Sequence, residues 1–102
     1  MNDSIHEGTL LDESATYTLR EIVEISDVEE KIIIEMIQHG ILSPQGQTLQ
    51  QWVFISSDLI RFKKAWRLHR DLNINWEGIS LALELLDEIN ELHQVISTLK
   101  KS

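Results

Sequence analysis

The chain contains no cysteine, a single proline and only four glycines in 102 residues. Without thiols it has no disulfide, no thiolate nucleophile and no cysteine-based metal site, which suits a reducing compartment. Bases are scarce too: nine Lys and Arg face seventeen Asp and Glu, for a net charge of −8. A surface of that sign repels a phosphate backbone and favours a basic protein surface as partner. No apolar run approaches the roughly 20 residues of a membrane-spanning helix. Residues 1–15 are polar and acidic where a secretory leader would be basic and then apolar. The expectation is a soluble, cytoplasmic protein with no membrane partner.

Catalytic constellations are missing as well. His6, His39, His69 and His93 include no pair spaced by three or four, so they form no metal-ligand set. Glu29-Glu30 and Asp87-Glu88 are neighbours that point to different helix faces. Ser56-Ser57 lies in no nucleophile motif, and no glycine-rich loop is available to cradle a phosphate. Neither an enzyme nor a metal, cofactor or small-molecule substrate is expected.

What is present is a series of amphipathic segments sufficient for one compact domain. Residues 1–15 lack periodicity and read as a mobile tail. A winged helix-turn-helix domain is expected over 16–72 and a long C-terminal helix over 73–102. Helix one starts at Thr16 or Thr18, where Thr18-Leu19-Arg20-Glu21 has capping-box spacing. Asp27-Val28-Glu29-Glu30 offers a second capping box for helix two, which buries Val28, Ile32, Ile33, Met36 and Ile37 and stops at Gly40. Two short helices joined by a tight turn make a helix-turn-helix. Ile41–Pro44 and Trp52–Ile55, joined through Gln45-Gly46-Gln47, read as the strands of a β-hairpin wing. Ser56 or Ser57 caps helix three, from about Asp58 to Leu72, and Asn73–Asn75 breaks it. Trp52 and Trp66 read as core.

The last segment carries the strongest periodicity. Ala82, Leu85, Ile89, Leu92, Ile96 and Leu99 alternate steps of three and four, the spacing of a coiled-coil seam. Asn75 and Glu77 suit its N-terminus, Lys100 and Lys101 its C-terminus. A second row, Ile79, Leu83 and Leu86, widens the stripe, so the helix is expected to pack on its own domain near its start and on a second helix further along. Leu85, Ile89, Leu92, Ile96 and Leu99 either fold back on the domain or pair with a second subunit; three heptads exceed what one small domain covers, which favours a homodimer. Glu84, Asp87, Glu88 and Glu91, at i, i+3, i+4 and i+7, are expected to gather four carboxylates on the face opposite the seam. These acids form either a solvated surface or a docking surface for a basic partner. Trp76, beside the small Gly78, either packs internally or anchors a partner.

Charge falls in blocks. Residues 1–60 hold eleven acids against two bases, residues 61–70 five bases and no acid, and residues 71–102 six acids against two bases. A recognition helix needs Arg or Lys, yet helix two carries Glu29, Glu30 and Glu35 against Lys31 alone, and the wing from Gln45 to Gln51 has no base. Direct nucleic-acid binding is therefore not expected. The alternative, a DNA-binding transcription regulator, would have to use Arg61, Lys63, Lys64, Arg67 and Arg70.

The order helix-turn-helix, wing, helix, long coiled-coil-type helix resembles the MerR superfamily. The run Leu68-His69-Arg70-Asp71-Leu72-Asn73-Ile74-Asn75-Trp76-Glu77-Gly78-Ile79, continued by Ala82-Leu83-Glu84-Leu85-Leu86-Asp87-Glu88-Ile89, is similar to CbpM-type chaperone modulators, as is Trp52-Val53-Phe54. The resemblance covers roughly residues 17–95. It implies a mainly α, MerR-like winged fold and a regulator that binds the J-domain of a DnaJ-like co-chaperone of the curved-DNA-binding type, blocking its stimulation of the chaperone ATPase and weakening its DNA binding. Trp76, Glu84, Asp87, Glu88 and Glu91 are the residues expected to meet that partner.

Overall fold

The computed structural model describes residues 14–101. Two short strands, β1 (Thr16–Tyr17) and β2 (Phe54–Ile55), frame helices α1 (Leu19–Ser26) and α2 (Glu30–Gln38). After β2 come α3 (Ser56–Leu72) and the 26-residue α4 (Trp76–Lys101). The expected tail falls almost entirely outside the described residues, as does His6.

The Thr18 capping box is present: the Thr18 hydroxyl accepts from the Glu21 amide at 3.1 Å, and the Thr18 amide donates to the Glu21 carboxylate at 2.9 Å. The second capping box does not form. Asp27 instead adopts a left-handed conformation (φ 59°) that closes α1, its amide donating to the Val23 carbonyl at 2.9 Å. An Asp tolerates this region better than most residues. The Ser26 hydroxyl, buried in the turn, donates to the Ile22 carbonyl and accepts from the Val28 amide, so the turn brings its own polar partners inside. Glu29 then stands at the start of α2 without a side-chain cap.

Gly40 ends α2 as expected, at φ 74°. The Ile41 amide donates to the Met36 carbonyl and the Gly40 amide to the Ile37 carbonyl, the double closure of a Schellman motif, with Ile41 and Met36 both buried beside it. That closure explains why Ile41–Pro44 is not the expected strand. Ile41 and Leu42 are consecutive and almost wholly buried, whereas a strand would turn one of them outward, and the Ile41 amide already serves the helix end. Gln45 and Val53 exchange a single pair of backbone bonds, closing a loop that contains the 3₁₀ turn Leu49–Gln51. The returning strand Phe54–Ile55 pairs with Thr16–Tyr17, antiparallel, with Thr16 opposite Ile55. The small sheet therefore ties the front of the domain to the start of α3.

Neither Ser56 nor Ser57 caps α3. Ile55 holds that position, and the Asp58 carboxylate accepts its amide at 3.0 Å. The break before α4 follows the sequence closely: Asn73 is left-handed (φ 54°), and the Asn75 side chain accepts from the Gly78 amide at 2.8 Å. The core joins Leu19 and Ile22 of α1, Ile33 and Met36 of α2, Phe54 of β2, Leu59, Phe62 and Ala65 of α3, and Trp76, Ile79 and Leu83 of α4. Trp52 and Trp66 pack half-buried against this cluster.

Candidate functional site

The long helix α4 has three differently surfaced sides. At about 100° per residue, Trp76, Ile79 and Leu83 share the side that faces the core. Leu85, Ile89, Leu92, Ile96 and Leu99 project about 150° away from it, and all five are exposed, from 46% at Ile89 to 67% at Leu99. Leu81 and Val95 extend that apolar surface. The seam residues do not fold back on the domain. Past Leu83 every side chain of α4 is exposed, a bare length of roughly 25 Å at 1.5 Å per residue.

Glu84, Glu88 and Glu91 occupy a flank between the core side and the seam, with no ion pair to any described residue. The acidic row is therefore beside the seam and not opposite it. Asp87, the fourth expected acid, is nearest the core side and behaves differently. Arg61 reaches it at 3.3 Å through one guanidinium nitrogen while Nε donates to the Ile41 carbonyl at 2.7 Å. One arginine of α3 thus clasps the loop after α2 and the second turn of exposed α4 together. Sequence spacing gave no sign of this: Asp58, the acid three residues before Arg61, is engaged with the Ile55 amide.

Trp76 is not an exposed anchor. It is 7% accessible, its ring stacks on His69 with centroids 4.1 Å apart, and its indole N–H donates to the Glu35 carboxylate at 3.2 Å. His69 is held in turn by donating from Nδ1 to the Ile74 carbonyl at 2.9 Å. His39, at the end of α2, donates from Nδ1 to the Glu35 carbonyl and faces Glu77 of α4 through Nε2 at 2.8 Å. A Cβ on Gly78 would sit 2.7 Å from the Ile74 side chain, so the small residue serves the chain's own cap and not an approaching backbone. Glu35 of α2 and Glu77 at the start of α4, together with His39 and His69, seat the start of α4 on α2 and α3.

The basic block is partly neutralised within the domain. Arg70 pairs with Asp71 at 2.8 Å; the hydrogen bond from Arg70 holds the Asp71 carboxyl below its ordinary pKa and raises that of the guanidinium. On α2 the exposed Glu29 and Glu30 stand where a DNA-reading helix would carry bases. Among the described residues no group of His, Asp and Glu is arranged to hold a metal ion, and no helix is long and apolar enough to cross a membrane.

Comparisons with known proteins agree with this architecture. The model for the MerR HTH family of regulatory proteins matches residues 17–101. The chaperone modulatory protein CbpM of Pseudomonas entomophila (strain L48) is 40% identical over 83 residues, covering 81% of this chain and 82% of that protein. The chaperone modulatory protein CbpM of Coxiella burnetii (strain Dugway 5J108-111) is 36% identical over 101 residues, 99% of this chain and 95% of that protein. The chain belongs to the CbpM-type chaperone modulators of the MerR-like family. These are names of regulators, not of enzymes.

Proposed function

We propose that the protein binds the J-domain of a DnaJ-like co-chaperone of the curved-DNA-binding type and inhibits both the co-chaperone and the DNA-binding activity of that partner. The observation that carries the reading is the flank of α4 where Glu84, Glu88 and Glu91 stand exposed, with no ion pair to any described residue, beside an exposed apolar seam. A J-domain presents a basic helix to its chaperone, and a row of carboxylates competes for it by offering the same charge complement. Asp87 adds to that field while clasped by Arg61, and Trp76 contributes by fixing the angle at which α4 leaves the domain. Catalysis has no part in this function.

The working unit is a homodimer joined through Leu85, Ile89, Leu92, Ile96 and Leu99. Five exposed aliphatic side chains in heptad register form a surface that water covers poorly, and a second copy of α4 offers the matching one. The acidic flanks of two chains then lie alongside the shared seam.

Calorimetric titration of the protein into the isolated J-domain at two salt concentrations tests the reading. Saturable binding that weakens at higher salt is expected, because exposed charge pairs are screened over about 10 Å at 0.1 M salt. No saturable heat at either salt would falsify it. The alternative reading, DNA binding through residues 61–70, is favoured by no arrangement of the described residues, since Arg61 and Arg70 are already paired.

A further inference from the structure

The flank of α4 that carries the acids does not end with them. Glu84, Glu88, Glu91, Val95 and Thr98 follow one another by alternating steps of four and three. At about 100° per residue they fall within an arc of about 80°, and at 1.5 Å per residue they run for about 21 Å. They form a second stripe beside the seam, and its character changes along the helix. Past Glu88 it opens into a shallow groove of about 440 Å³ lined by Glu91, Gln94, Val95, Thr98 and Leu99. The Thr98 hydroxyl donates to the Gln94 carbonyl at 2.9 Å, so it is engaged within the helix and the residue offers a neighbour its methyl group. Val95 beside it is 54% exposed. The stripe is thus acidic at one end and apolar at the other.

Resting on the J-domain reading above, we infer that this stripe is the track for one amphipathic helix of the partner. Lys or Arg of that helix face Glu84, Glu88 and Glu91, and an apolar side chain further along it seats on Val95 and Thr98. A row repeating by four and three is the geometry in which two helices pack lengthwise, and apolar anchoring beside charge pairs is how a groove takes an amphipathic helix. Charge decides the occupant. A second copy of α4 would bring its own Glu84, Asp87, Glu88 and Glu91 to the stripe, with Lys100 and Lys101 as the only bases of that helix. Like charges set side by side disfavour that pairing, whereas a basic helix is attracted at all three acids. The acids alone would accept any cationic segment. Val95 and Thr98 add the demand for an apolar side chain one to two turns beyond the bases, which separates one basic helix from another.

Titration of full-chain variants into the isolated J-domain at two salt concentrations tests this. Val95→Ser is expected to weaken binding about three- to tenfold. The factor is the same at both salts, because apolar contact is not screened, whereas the loss from Glu84→Lys/Glu91→Lys shrinks as salt rises. Thr98→Lys, which lies about 120° from the centre of the seam, is expected to weaken binding at least about threefold. Glu29→Lys/Glu30→Lys makes the larger change in net charge and bounds the long-range part of that loss. His93→Ser, at the same depth on the opposite flank, is expected to leave the affinity unchanged. Unaltered affinity in both Val95→Ser and Thr98→Lys overturns the inference, and so does a Val95→Ser loss that fades with salt. A fall from dimer to monomer mass in both variants overturns it as well, by assigning the groove to a second copy. In each of these cases the unaltered protein still binds the J-domain, so the reading beneath stands; no saturable heat from the unaltered protein strikes that reading itself.

Discussion

The two halves of α4 both carry an apolar stripe, and the two stripes meet opposite fates. Trp76, Ile79 and Leu83 in the first half are buried in the core, whereas Leu85, Ile89, Leu92, Ile96 and Leu99 in the second half are bare. Charge rises past the boundary, from Glu77 alone in 76–83 to four acids and two lysines in 84–101, but the apolar spacing runs across it unbroken. What changes is the length of the domain beneath: the loop after α2 and the first turns of α3 reach α4 as far as Asp87, through Arg61, and nothing described lies alongside it beyond. Apolar periodicity thus reports that a stripe exists and which way it faces, while coverage depends on what the rest of the chain brings to that depth.

Substitutions in each half break the comparison in different observables. Trp76→Ala removes a buried ring, its stack on His69 and its bond to Glu35, and is expected to cost about 3–5 kcal/mol in urea unfolding. Trp76→Phe keeps most of the packing and loses the indole N–H, for a cost nearer 1 kcal/mol. A Trp76→Ala cost below about 1 kcal/mol would mean that the first half is no better anchored than the second. In the second half, Ile96→Glu is expected to leave the helical signal of the domain intact and to shift the mass in analytical ultracentrifugation from dimer to monomer. An unchanged dimer mass would remove that end of the seam from the interface.

Much of this was legible in the residues. The Thr18 cap, the Gly40 stop, the Asn73–Asn75 break and both apolar rows of α4 are local features, set by spacing and by side chains that bond within four residues. The features that were not legible depend on residues far apart in the chain. Glu35 and Trp76 are separated by 41 residues, Arg61 and Asp87 by 26. Asp27 had the spacing of an N-cap, but the same short side chain also tolerates the left-handed conformation, and closing α1 took precedence. Ile41 and Leu42 had strand composition, and the closure of α2 drew both inward.

The same contrast of local and distant applies to the acids. Glu29 and Glu30 on α2 and Glu84 and Glu91 on α4 are all exposed, and only the second pair adjoins the apolar seam. Glu84→Lys/Glu91→Lys is expected to weaken J-domain binding by about tenfold or more, equivalent to about 1.4 kcal/mol. Glu29→Lys/Glu30→Lys changes the net charge by the same amount, so it controls for long-range attraction, and is expected to stay within about threefold. Equal losses from both pairs would move the contact from the flank of α4 to the overall field of the protein.

Asp87 gives the smallest effect and the sharpest distinction among the α4 acids. It shares its helix and its exposure with Glu84, Glu88 and Glu91, but its charge is already answered by Arg61 at 3.3 Å. A double-mutant cycle of Arg61→Gln and Asp87→Asn is expected to return a coupling of about 0.2–1 kcal/mol in stability, the range of exposed pairs. Arg61→Gln alone costs more than Asp87→Asn alone, because the Nε bond to the Ile41 carbonyl is part-buried and independent of Asp87. Asp87→Asn is therefore expected to weaken J-domain binding less than Glu91→Gln, each variant removing a single charge. The reverse order would mean that the partner displaces Arg61 from Asp87 on binding, making the clasp between α3 and α4 part of the recognition surface and not merely its support.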